Sequence, residues 1–195
     1  MTRAQAHKLL LAHMTQPNLI RHCLAVAAVM KALYGRLEGT GDKFSKERQE
    51  LWEVIGLLHD GDYEDTKLTP EKHTLKMVEW LKKEEVKDKE ILDAILSHNF
   101  AHTGQNPPKN KIEWALYCCD ELTGFIVAVT LVRPDKKLSS VTYQSVLNKW
   151  DEKSFAAAVK REQIKECEGR LGIPLNEFIQ LALGAMQGIS DDLGL

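Results

Sequence analysis

Apolar residues recur at spacings of three and four along nearly the whole chain, and period-two alternation is sustained nowhere, so the pattern predicts an all-α fold. A first helix is expected over about Arg3 to Met14. A second begins at Pro17, where a first-turn proline costs nothing, and runs to Glu38 ahead of Gly39 and Gly41. Leu19, Ile20, Cys23, Leu24, Val26, Ala27, Val29, Met30 and Leu33 make it apolar on almost every side, as in a central buried helix. A third follows Ser45 and carries Leu51, Trp52, Val54, Ile55, Leu57 and Leu58 up to His59 and Asp60. Thr69, Pro70 and Glu71 signal the start of a fourth, with Met77, Val78, Trp80 and Leu81 inward.

Asp88 opens a fifth helix, with Ile91, Leu92, Ala94, Ile95 and His98 inward, ending before Gly104. Asn110 and Glu113 form a capping box for a sixth that passes Asp120 and stops at Val132, ahead of Pro134. Its FIVAVTLV segment is rich in β-branched residues, yet it continues a helical repeat and has no partner strand. Ser154 to Leu171 and Pro174 to Gly188 complete the reading. At 195 residues the chain suits one domain, with a core over about 17–133 and C-terminal helices over 140–190 packed on it.

Within this pattern five helices each place a metal-capable side chain near the apolar face: His22, His59 with Asp60, His73, His98 and Asp120. Asp120 lies among Leu116, Tyr117 and Gly124 in a strongly apolar helix, where an ionised carboxylate needs a cation, a donor network or a metal. His59 and Asp60 are adjacent, so on a regular helix they diverge by about 100°. At a helix terminus followed by Gly61 the backbone can leave helical geometry and let both converge. Imidazole with carboxylate suits a divalent first-row ion, Mn, Fe, Zn, Co or Ni.

Composition narrows the partners. Basic and acidic residues number 26 and 28 and are interspersed, giving a formal charge of -2 and no polybasic stripe for nucleic acid. The N-terminus reads as an amphipathic helix rather than a signal peptide, and the apolar stretch Phe125 to Val132 falls short of the about 20 residues of a membrane span. Cys23, Cys118, Cys119 and Cys167 form no CxxC pair and read as reduced, buried thiols of a cytoplasmic protein.

The order of these residues resembles the HD-domain superfamily of metal-dependent phosphohydrolases, whose motif H…HD…D lies on an all-α core. The matching positions are His22 in NLIRHCLAV, His59 and Asp60 in LLHDGD, and Asp120 in LYCCDELTG. The resemblance, over about Leu19 to Thr123, implies one metal on these four, with Asp60 able to bridge to a second on His73 in TPEKHTLKM and His98 in ILDAILSHNF. The pair is followed by Gly61-Asp62-Tyr63 where many relatives read HDIG. A phosphohydrolase acting on a small phosphorylated metabolite or nucleotide is the implied activity, using metal-activated water. The same ligand set would serve a dinuclear iron oxygenase, and a non-catalytic regulatory domain is a third reading. Asp62, Glu64 and His102, or a water positioned by Asn99, are the candidates for proton transfer. Arg133, Lys136 and Lys137, with Lys67 and Lys109, are the candidates for holding the substrate phosphate.

Overall fold

The computed structural model describes residues 1–39 and 41–195, and no strand occurs among them. Helix α1 spans Arg3–His13, α2 Pro17–Leu37, α3 Lys46–Leu58, α4 Tyr63–Thr66, α5 Leu75–Lys83 and α6 Lys89–His98. After these come α7 Phe100–Thr103, α8 Lys111–Leu131, α9 Tyr143–Trp150, α10 Arg161–Glu166, α11 Leu175–Gln187 and α12 Ser190–Leu193. Ser45, Asp88 and Asn110 cap α3, α6 and α8 as the sequence suggests, and Thr2 with Gln5 adds a capping box on α1.

Helix α2 is the hub, packing on α3, α8, α11 and α12, while α3 also meets α1 and α6. Helices α2 and α3 meet closely at Gly56, where a Cβ would lie 2.8 Å from the Cα of Ala27. Only a glycine lets the two backbones approach so far, and His22 and His59, both near this crossing, are thereby brought together edge-on with ring centroids 5.1 Å apart. Helix α8 is long and apolar enough, by length and composition, to cross a membrane, which the eight-residue stretch considered from sequence is not. Its apolar character has a local explanation, because Leu116, Leu122, Phe125 and Ile126 are fully buried against α2, α6, α10 and α11. The four cysteines are buried and free.

Two expectations are corrected. The fourth helix does not run on from Pro70: a 3₁₀ turn over Pro70–Lys72 is followed by a break at His73 and Thr74, and α5 begins at Leu75. Thr74 has φ 70°, a left-handed conformation that a β-branched residue adopts only when its surroundings impose it. Helix Ser154 to Leu171 shrinks to α10 and a π turn over Cys167–Leu171. In the preceding segment the Arg161 guanidinium donates to the carbonyls of Trp150, Glu152 and Phe155, and the Lys160 N–H donates to Glu121, so tertiary bonds replace helical ones. Helix α9, opened by a Thr142–Ser145 capping box, was not foreseen.

Candidate metal centre

Helix α3 ends at Leu58, and the next four residues form turns held by Gly61 N–H to the Leu58 carbonyl and Tyr63 N–H to the Asp60 carbonyl. This non-helical turn is what lets His59 and Asp60 point at one place. Gly61 serves it differently from expectation: its φ is not positive, and a Cβ there would sit 2.6 Å from Met77 Sδ and 3.3 Å from the Leu58 carbonyl oxygen. Glycine is needed because α5 is pressed against the turn, not because the helix has to be released.

Six side chains from five segments converge. His22 Nε2 lies 2.8 Å from Asp120 Oδ1 and 3.2 Å from His59 Nε2. Asp60 divides its oxygens between two pairs of imidazoles: Oδ1 is 3.1 Å from both His73 Nε2 and His98 Nε2, and Oδ2 is 3.6 Å from both His22 Nε2 and His59 Nε2. His59 Nδ1 donates to the Gly56 carbonyl at 2.7 Å, so its Nε2 lone pair is turned into the cluster. His73 Nδ1 likewise donates to Asp62 Oδ1 at 2.7 Å, and Asp62 Oδ2 accepts from Met77 N–H at 2.9 Å. Asn99 donates to the carbonyls of Pro70 and His73, tying the end of α6 to the turn that carries His73.

Charge follows from this crowding. Partial burial lowers the affinity of His22 for a proton, but Asp120 and Asp60 outweigh it and push the imidazole up to about 9. His73, opposed by burial but facing Asp60 and Asp62, is raised to about 10. Burial of Asp60 and Asp120 would favour their neutral forms, yet the surrounding imidazoles hold both carboxyls well below the usual range. His98, where burial dominates, is lowered, and its buried Nδ1 has no hydrogen-bond partner. Four imidazoles and two carboxylates offering lone pairs to one small volume are the donor set a divalent ion needs, and subsets of three lie within 4.8 Å of one another.

Residues 19–154 match the family model of the HD domain, well over half of the chain. The chain belongs to the HD domain family. HD domains are generally metal-dependent hydrolases that bind divalent ions, and this one carries a His/Asp cluster compatible with that pattern. No curated protein and no solved structure matches the chain significantly.

The other residues singled out from sequence are placed as follows in this HD domain. Asp62 is fully buried behind His73 rather than at an open face. Glu64 is turned to the start of α2, accepting from the N–H groups of Thr15 and Gln16. His102 is exposed, 3.5 Å from Lys160 Nζ, and is lowered by partial burial and by Lys160, with His98 and His73 near enough to contribute. Arg133 and Lys136 are not brought to the cluster, because α8 carries the chain about 16 Å past Asp120 before it ends. Arg133 is instead held by Ser140 and Ser145. Lys137 follows in the same exposed loop, and Lys67 is an exposed residue just past α4. Lys109 donates its N–H to Glu113 and lines a recess with Asp93 and Ser97.

Two neighbours escaped the sequence reading. Glu121, next to Asp120, has its carboxyl raised by burial, and accepts from the Lys160 N–H at 3.0 Å. Lys160 is tied to this edge of the cluster by its N–H to Glu121 and by its ammonium, 3.5 Å from His102 Nε2. Glu121 could have been found from its neighbour, but nothing in DEKSFAAAVK indicates that the chain folds back here.

Proposed function

We propose that this HD domain is a phosphohydrolase that cleaves a phosphoester of a small metabolite or nucleotide, using two divalent ions bridged by Asp60. The observation that carries the reading is the division of the Asp60 oxygens between the His22–His59 pair and the His73–His98 pair, with Asp120 on the first side. The residues would thus hold one ion on His22, His59, Asp60 and Asp120, and a second on His73, His98 and Asp60. Ions bound there supply acidity to water near neutral pH and neutralise charge on a phosphoryl oxygen.

The remaining roles fall to side chains. Asp62 keeps the proton of His73 on Nδ1 and its lone pair on Nε2, which is a positioning role. Lys160 offers an ammonium to a phosphate on the side of Glu121 and His102. His102, lowered and therefore neutral at pH 7, can accept a hydrogen bond from water there. Glu121, whose carboxyl burial raises, is the group beside Asp120 best able to pass a proton to the leaving oxygen.

Metal analysis followed by a phosphatase, phosphodiesterase and nucleotide panel with added manganese, iron and cobalt tests the reading. Phosphate release that needs metal and is lost in Asp60→Ala supports it. Iron-bound protein that consumes oxygen and releases no phosphate would assign the dinuclear oxygenase instead, and metal-free protein inactive in both assays would leave a regulatory domain.

A further inference from the structure

The ligands are unequally exposed: the His59 side chain is fully buried, while His22 retains 25% of its surface. The cluster therefore opens on the His22 side. There it adjoins a cavity of about 360 Å³, bounded by the start of α2, the second half of α8 and residues 193–195. Its walls are of two kinds. Val127, Leu131 and Leu193 are apolar, whereas Asn18 and Arg21 bring a carboxamide and a guanidinium from α2. No carboxylate among the described residues lies within ion-pair distance of Arg21, in contrast to Arg3, Arg36, Arg48 and Arg170. Gly124 completes the lining, and a Cβ there would meet nothing within 4 Å, so the space beside it is open.

We infer that this cavity is the specificity pocket of the site, and that it takes the non-reacting part of a substrate with an apolar body and a second acidic group, read by Arg21. The inference rests on the hydrolase reading only for where the phosphoryl group lies. A volume of this size sits in the range of small-molecule pockets. An apolar wall with one unpaired guanidinium favours an organic anion over an inorganic one, because the guanidinium takes a carboxylate or phosphate oxygen pair while the wall removes the organic body from water. Asn18, one helical turn before Arg21, adds donors and an acceptor on the same side.

Binding tests it without requiring turnover. Manganese-loaded protein is titrated calorimetrically with phenylphosphonate and with 4-carboxyphenylphosphonate, neither of which can be hydrolysed. Wild type is expected to bind the carboxylated compound about tenfold more tightly, as one charge-assisted pair warrants. Arg21→Ala should abolish that preference, and Gly124→Leu, which fills the cavity, should weaken both. Equal affinities in wild type, or a preference that survives Arg21→Ala, would overturn the inference. The corresponding phenyl phosphates, assayed for phosphate release, separate the two readings. A binding preference without hydrolysis removes the hydrolase and keeps the pocket, whereas hydrolysis without preference does the reverse.

Discussion

Asp62 and Gly61 lie side by side, and their environments predict different failures. Asp62→Asn keeps the size of the side chain but removes the charge that His73 Nδ1 donates to, so metal affinity should fall about 10- to 100-fold with the fold retained. Metal titration monitored by calorimetry, with circular dichroism as the control, checks this. Gly61→Ala instead drives a methyl group toward Met77 Sδ, and overpacking of this kind costs about 1–3 kcal/mol. Chemical denaturation should show that loss, and because Met77 is itself buried, Met77→Ala combined with Gly61→Ala should cost less than the sum of the two single losses, the shortfall being the relieved clash. The sequence made the six ligand candidates legible, since each falls beside the apolar repeat of an expected helix, although the structure puts His59, Asp60 and His73 in turns. It did not make Asp62 legible as a partner of His73, because the contact crosses from a turn to the break before α5 and follows no helical period.

At the scale of elements, helices α2, α3, α6 and α8 were readable because caps, prolines and the apolar repeat agree on their limits. The failures occurred where tertiary contacts outvote local preference. Thr69-Pro70-Glu71 is a sound start signal, yet the chain leaves helical geometry at His73 and Thr74 so that the His73 ring and Met77 N–H can both meet Asp62. Thr74→Gly should relieve the left-handed strain at φ 70°. Because glycine also loosens the turn that aims His73, the expected result is unchanged or improved thermal stability with weaker binding of the second metal equivalent. Melting curves and metal stoichiometry, measured on one sample, report both. The loop before α10 was equally hidden: its alanines favour a helix, and the Arg161 contacts that prevent one lie in the folded chain alone.

For the whole molecule, protons and metal compete for the same six side chains, so pH should act in opposite senses on the two forms. Without metal, His22 and His73 titrate above the free value of 6.5, near 9 and 10. Their stabilisation is therefore complete below pH 6.5 and is lost as pH rises through 9 and 10. Asp60 and Asp120, shifted downward, contribute above the ordinary carboxylate range and lose their contribution as pH falls through it. With metal bound the imidazoles must be unprotonated, so stability should rise rather than fall between about pH 6 and pH 8. Melting temperatures with and without manganese across this range should diverge, and parallel profiles would count against a metal site. The uneven exposure of the ligands also has a kinetic side. With His59 sealed and His22 at the mouth, an ion exchanges by displacement of one side chain and needs no opening of the helices. Extraction by a chelator should then be much faster than global unfolding, and faster again in His22→Ala, while hydrogen exchange in α3 and α8 stays slow.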